Sequence, residues 1–550
     1  MNIVKEYQQD LKKEFAGYDK GRFSKDLLSG VTVAAVALPL ALAFGVSSGA
    51  TAAAGLVTAV IAGVVIGGLS GASFQISGPT GAMTAILITI AAKYGMQGIL
   101  LASFLAGCIL IVAGILKLGK IIYFIPSSVI TGFTSGIAII IALGQLDNLF
   151  GVKSEGELAI IKVLSYFTSG FDINWQAALI GFMVILIMIV WPKKWNAKVP
   201  SSLVALAIVL IFNYFAKFDV AVVGEIPKSI FLQDRMTLST LLDSEIWDFV
   251  IPSFSIAALA MIESLLCGAS AGKMKNEKLN ADRELIAQGV GNVLIPFFGG
   301  VPATAAIART SVAIKSGCET RLAGIIHALV LLLSMFVLAP VMSSIPLSAL
   351  AGVLIITAWR MNDWENIHYI FGHRFKTGMA KFGITMVATV VLDLTQAIII
   401  GVAFSTFLVV VKLTDIEINV SEIDNQRLEE VGMKLPVVPE HIRVVYLTGT
   451  IFFAVVDKLV KELSKAQDHS VVILSMRGVP VIDLSGVQSL TDVAKEMKER
   501  DIKIILTSVQ PKVLRDLTRG GFIDVIGEEN VYRSAELAIV QAAQDHLESL

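Results

Sequence analysis

One carboxylate and one guanidinium stand where the chain is otherwise apolar. Glu263 follows Ala257-Ala258-Leu259-Ala260 and precedes Leu265-Leu266. Arg309 lies in Gly299-Gly300-Val301-Pro302-Ala303-Thr304-Ala305-Ala306-Ile307-Ala308-Arg309-Thr310. Ionisable groups in such surroundings are expensive and mark functional positions. Glu263 is suited to take a coupling proton beside an anion; the alternative is a structural carboxylate that holds a broken helix or pairs with Arg309. Arg309 offers a positive field for an anion or a counter-charge for Glu263; the alternative is a salt bridge without a substrate role. The hydroxyls of Ser77, Thr80 and Thr304 can donate to an oxyanion, although the same groups cap helices well. Phe44 is placed to wall such a site, or simply to pack. His327 reads as a packed, hydrogen-bonded core histidine rather than a proton relay.

Positioning these groups requires an unusual backbone. Gly299-Gly300 and Val301-Pro302 break any incoming helix, because Gly adds backbone freedom and Pro restricts the residue before it. Ala303 to Ala308 are then expected to begin a new helix with Pro302 near its first turn. The stretch Phe74-Gln75-Ile76-Ser77-Gly78-Pro79-Thr80-Gly81-Ala82-Met83 repeats the plan: an extended lead-in, a Gly and Pro break, then small residues opening an apolar helix. Helices that start this way carry unpaired N–H groups and a partial positive charge. Two broken helices in corresponding halves of a membrane protein point to a transport site; a pair of Pro-kinked structural helices is the plainer alternative.

The composition fits a membrane protein. The chain has 550 residues, 55% hydrophobic and only 16% charged, with a mean hydropathy of +0.75. Charge is sparse from Leu27 to Leu413 and dense beyond. A net charge of −1 gives no reason to expect nucleic-acid binding. Cys108, Cys267 and Cys318 lie in or beside apolar segments and form neither a disulfide framework nor a zinc pattern. Residues 1–26 are charged and polar, so they read as a cytoplasmic segment and not as a signal peptide. No nucleotide loop or nucleophile–base constellation is present, so no enzyme activity, cofactor or metal is expected.

About fourteen apolar runs follow between residues 27 and 415, several shorter than the ~20 residues of a full span. The basic residues fall on alternate loops: Lys117 and Lys120; Lys193, Lys194 and Lys198; Lys273, Lys275 and Lys278; Lys315 and Arg321; Arg360, Arg374 and Lys376. That spacing places both termini in the cytoplasm of a multi-pass cell-membrane protein. The region divides into halves of seven spans, 27–216 and 246–415, with the broken helix third in each. An odd number per half inverts the second relative to the first, so the two helix N-termini converge near the midplane. Asp393 is expected at the water interface between the last two spans. Residues 416–439 read as a charged linker. Over 440–550, short β-rich runs (442–447, 470–476, 503–508) alternate with helical stretches (455–465, 486–500, 511–518, 535–547), describing a small α/β domain.

These features resemble the sulfate permease (SulP/SLC26) family of anion transporters, over nearly the whole chain. The most specific matches are Met261-Ile262-Glu263-Ser264-Leu265-Leu266, Asn280-Ala281-Asp282-Arg283-Glu284-Leu285, Gln288-Gly289-Val290-Gly291-Asn292 and the stretch around Thr304. In Leu38-Pro39-Leu40-Ala41-Leu42-Ala43-Phe44, Leu40 and Ala41 stand where the family often has Gln and Gly, which removes a polar substrate contact from position 40. The resemblance implies a seven-plus-seven inverted repeat, with a core domain of spans 1–4 and 8–11 and a gate domain of the rest. It implies a C-terminal STAS domain, a homodimer, and a cytoplasmic regulator acting on that domain. Its implied substrate site draws on Phe44, Ser77, Gly78, Pro79, Thr80, Ala303, Thr304, Ala308 and Arg309, with Glu263 as the ion-coupling residue.

Sodium-coupled relatives tend to carry Asp at the position of Glu263 and Thr four residues on. Here the latter is Cys267, and a soft thiol is a poor sodium ligand, which favours protons. Ser485, in Val481-Ile482-Asp483-Leu484-Ser485-Gly486, matches the phosphorylatable serine of stand-alone STAS proteins; the alternative is that Asp483 and Ser485 cap a helix. The expected function is proton-coupled symport of a small anion of the sulfate, bicarbonate, chloride or dicarboxylate class, by core-against-gate alternating access. Sodium-coupled symport, anion exchange, nucleobase transport and a membrane anion sensor signalling through STAS are the alternatives.

Overall fold

The computed structural model describes residues 3–120, 125–154, 159–168, 172–192, 195, 199–237, 239, 246–392, 394–421, 423, 428, 441–464 and 470–549. The chain divides into two compact units, Met1–Ser405 and Thr406–Leu550.

The first unit opens with helix α1 (Ile3–Glu14). The apolar helices are α2 (Lys20–Ser47), α3 (Ala52–Leu69, with a π-helical turn at Ala62–Ile66), α4 (Gly81–Ile115), α5 (Ser127–Gly144), α6 (Trp175–Val190) and α7 (Ser201–Ala216). After them come α8 (Val250–Lys275), α9 (Ala281–Leu294), α10 (Ile307–Lys315), α11 (Leu322–Val337), α12 (Leu347–Met361), α13 (Lys376–Val391) and α14 (Leu394–Leu413). Helix α4 is two helices joined where Gly95 turns the chain at φ 65°. Counting it twice, the thirteen helices α2–α14 make fourteen segments, seven in each half. Among the described residues, six helices are each long and apolar enough to cross a bilayer unaided. Large side chains such as Leu186, Ile189, Phe254 and Ile399 are exposed on this unit, as lipid-facing positions require.

Small residues let the helices meet. Gly107 on α4 and Gly289 on α9 face one another so closely that a Cβ on either would lie 2.7 Å from the other's carbonyl oxygen. That is the close approach small residues permit in membrane packing. Helix α1 lies on the same unit through Tyr7, whose hydroxyl donates to Gly68 O at 2.7 Å. Two ion pairs fix it: Arg283–Asp10 at 2.6 Å and Arg321–Glu14 at 2.8 Å. Tyr7 also sits between the guanidinium groups of Arg283 and Arg321, 5.5 and 5.4 Å from its ring centre. The polar N-terminal segment is therefore a docked helix.

The second unit holds a five-stranded sheet in the order β3 (Glu417–Ser421), β4 (Ile442–Thr448), β5 (Val471–Gly478), β6 (Lys503–Thr507) and β7 (Val531–Tyr532). Strand β3 is antiparallel to β4 and the other pairings are parallel. Helices α15 (Val456–Ser464), α16 (Leu484–Glu499), α17 (Pro511–Arg519) and α18 (Ala535–Ser549) complete it. Alternate residues of β5 enter two different apolar cores, Val472 and Leu474 one, Ile473 the other, as a sheet covered on both faces requires. Strands β3 and β7 are absent from the sequence reading. Strand β3 begins the stretch expected as linker; most of that stretch, like Asp393, Lys193, Lys194 and Lys198, lies outside the described residues.

Candidate functional site

Two short strands carry the centre of the first unit. β1 (Ser77–Gly78) pairs antiparallel with β2 (Thr304–Ala305), Ser77 opposite Ala305 and Gly78 opposite Thr304. The chain therefore runs through this point in opposite directions in its two halves. Helix α4 leaves just after β1, and α10 just after β2. Pro302 is not in the first turn of α10: Thr304–Ala305 is extended and the helix begins only at Ile307. Pairing with β1 outweighs the helix preference of the alanine-rich run.

Neither helix start is capped by its own side chain, at Thr80 for α4 or at Ala306 for α10. The Thr80 hydroxyl turns instead to Glu263 on α8, donating to Oε2 at 2.9 Å. Thr304 donates to the same oxygen at 2.6 Å. A threonine hydroxyl has one proton, so both protons expected to serve an oxyanion are held by Glu263. Glu263 as a whole residue is only partly buried. Among the described residues the Thr80 side chain does not cap α4, and Glu263 bonds to the two threonines and not to Arg309.

Arg309 is 1% exposed. Its Nη2 donates to Pro79 O at 2.7 Å, while Nη1 has no hydrogen-bond partner among the described residues. Nη1 packs against Gly78, where a Cβ would come within 2.5 Å of it. The guanidinium thus reaches from α10 to the lead-in of α4. Ala308, by contrast, is exposed on the first turn of α10. Phe44 is buried at the start of α4; a Cβ on Gly81 would lie 3.0 Å from its Cε1.

Two residues of the expected site face elsewhere. The Ser77 hydroxyl accepts from Gln288 Nε2 at 2.9 Å on α9, and Ala303 is bonded through both backbone groups to Asn292. Cys267 donates to Thr310 Oγ1 at 3.3 Å. His327 is fully buried, as expected. Polar side chains not read as functional hold the crossing. Thr58 Oγ1 accepts from Val301 N at 2.7 Å, and its one proton lies within reach of both Ala54 O at 2.8 Å and Val301 O at 2.9 Å. Ser264 Oγ accepts from Ala305 N at 3.1 Å. The signal available for them was a small hydroxyl residue within each apolar helix.

A cavity of about 400 Å³ lies beside the first half of α4, lined by Val46, Thr84, Ile141, Gln145, Asp147 and Ser255 among others. Thr84 is one helical turn beyond Thr80, so the cavity ends one turn from the crossing. In the second unit, Ser485 lies in the first turn of α16 and is partly exposed. Asp483 is the N-cap: Oδ1 accepts from Gly486 N at 2.8 Å and Oδ2 from Phe453 N at 3.1 Å.

A profile of the sulfate permease family matches residues 23–388, and a STAS domain profile matches residues 434–538. YvdB of Bacillus subtilis (strain 168), provisionally named a sulfate transporter, is 32% identical over 538 residues, covering 94% of this chain and 97% of that protein. The bicarbonate transporter BicA of Synechocystis sp. is 29% identical over 534 residues, covering 94% of each. The solved transmembrane domain of a cyanobacterial BicA is 31% identical with a TM-score of 0.64, over 69% of this chain and 98% of that one. The overall structure of SLC26A9 has the same fold, with a TM-score of 0.81 over 97% of this chain and 92% of that one at 17% identity.

Proposed function

The chain belongs to the sulfate permease family, and on that premise we propose that it is a secondary active transporter of a small anion, driven by protons. The sulfate and bicarbonate named for its relatives set the substrate class. Transport and not catalysis is the work of those relatives, and the apolar helices put it in a membrane.

The observation that carries this function is the pair of threonine protons on one carboxylate oxygen. An anion bound at the starts of α4 and α10 meets two uncapped helix N-termini, each worth about half a positive charge. The fixed charge of Arg309 lies behind them. With Glu263 ionised, its negative charge opposes the anion and it holds the Thr80 and Thr304 protons. Once Glu263 takes a proton, both effects are relieved: the repulsion disappears and the hydroxyls are free to turn to the anion. Anion and proton then favour each other's binding, and linkage makes the effect reciprocal. Movement of the core helices against the gate helices would carry both across.

The test is equilibrium binding of sulfate, whose own charge barely changes between about pH 5.5 and 7.5. Affinity should rise as pH falls in the parent. In Glu263→Gln, which mimics the neutral form, affinity should be high and independent of pH. A parent whose affinity does not change with pH, or a Gln variant that keeps the parent's dependence, removes Glu263 from coupling.

A further inference from the structure

The strand pair at the crossing is only two residues long on each side, too short to hold its own geometry. One helix grips both strands. On α9, Glu284, Gln288 and Asn292 are spaced four apart, so they share one face, and all three are fully buried. Glu284 Oε2 accepts from Ser70 Oγ at 2.6 Å and from Gly71 N at 2.9 Å, fixing the turn that leads to β1. Its Oε1 accepts from Gln288 Nε2 at 2.8 Å. The same Gln288 nitrogen donates to Ser77 Oγ at 2.9 Å, on β1 itself. One turn later, Asn292 Oδ1 accepts from Ala303 N at 2.8 Å and Nδ2 donates to Ala303 O at 2.9 Å. This amide pairs with the residue before β2 as a neighbouring strand would.

Gln288 and Asn292 therefore hold β1 and the approach to β2 at points about 6 Å apart on a single rigid helix. Thr80 follows β1 by two residues, and Thr304 follows Ala303 directly. The close packing of Gly289 on Gly107 fixes the helix that carries both grips. We propose that Gln288 and Asn292 are positioning residues that set the anion preference of the site, by fixing where Thr80 and Thr304 stand relative to each other. They touch backbone and Ser77, not the anion, and they act through the two strands. This specificity role rests on the transport function proposed above.

The test uses the full chain in detergent, with Gln288→Met and Asn292→Leu. Both variants are uncharged and close to the parent in size; the first loses the amide that reaches Ser77, the second loses both bonds to Ala303. Should Gln288→Met not fold, Gln288→Asn shortens the reach by one methylene and keeps the amide. Two quantities are read: hydrogen exchange of peptides covering 72–86 and 299–312, and the ratio of dissociation constants for sulfate and bicarbonate. The ratio does not change with the fraction of folded protein, so a merely structural role would leave it alone.

The expected result is at least tenfold faster exchange in both peptides, with the rest of the unit unchanged, and a shift of the ratio by tenfold or more. Faster exchange with an unchanged ratio overturns the specificity role, as does unchanged exchange. Faster exchange in variants of a parent that binds neither anion supports the grip on the strands, overturns its role in anion preference and sinks the transport function separately.

Discussion

Replacing Arg309 separates its charge from its packing. Its guanidinium is buried, bonded to Pro79 O at 2.7 Å and packed on Gly78, immediately behind the start of α4. A unit charge ~7 Å from a bound monoanion, at an effective dielectric of about 20, contributes roughly 2 kcal/mol. Since tenfold in affinity is about 1.4 kcal/mol, Arg309→Met should weaken monoanion binding about 30-fold. Coulomb energy scales with ligand charge, so a dianion should lose the square of that factor. Met fills much of the space but leaves the Pro79 carbonyl without its donor, at a cost of about 1–3 kcal/mol of stability. Arg309→Lys restores both charge and donor and should recover most of the affinity. The assay is titration calorimetry with sulfate and with bicarbonate on protein that elutes as the parent does. Equal losses for monoanion and dianion would mean that the residue acts only by shaping the backbone. Unchanged affinity in folded Arg309→Met refutes the electrostatic role altogether.

Further consequences can be checked with ordinary variants. Thr80→Val with Thr304→Val removes both hydroxyls from Glu263 and from the anion, so sulfate affinity should fall at least tenfold; an unaltered affinity means that the hydroxyls never serve the anion. Glu14→Leu leaves Arg321 buried without its carboxylate, a loss of about 3–5 kcal/mol, and should lower the thermal inactivation temperature measurably. Truncation after Leu413 keeps α14 whole and removes the sheet and helices of the second unit, including β3, and the remainder has its own apolar core. It should insert and elute as a folded protein; an aggregated product would show that the first unit depends on the second. The Tyr18 phenol is pushed up to about 12, first by burial and then by donating to Asp26. The stability it contributes is complete below about pH 10, the ordinary tyrosine value, and is lost as pH rises through 12. Tyr18→Phe should remove that component of an alkaline stability curve.

The large features were legible because each rests on composition or on one strong local signal. Fourteen apolar segments, two Gly-Pro breaks and a change of periodicity after the last helix suffice for the two-part fold and for the antiparallel meeting of the halves. Glu263 and Arg309 stood out because charge in an apolar helix is rare. What could not be read were side-chain directions. Spacing does not tell whether the single proton of Thr80 serves a helix end, an anion or a carboxylate; that depends on α8, some 180 residues away in the chain. Ser77 and Ala303 turned toward α9 for the same reason. Strand β3 was hidden because a polar edge strand has the composition of a linker until its partner is known. The late start of α10 reflects pairing with β1, a tertiary effect that overrides local propensity.

Flux is the most direct test of the central claim. Labelled sulfate and bicarbonate uptake should be measured in proteoliposomes with and without an inward proton gradient, for the parent and for Glu263→Gln. Proton-coupled transport predicts saturable uptake by the parent that concentrates sulfate when the gradient is imposed, and a Gln variant that exchanges anion but does not concentrate it. Anion binding without any uptake by the parent would contradict transport and leave an anion sensor in its place.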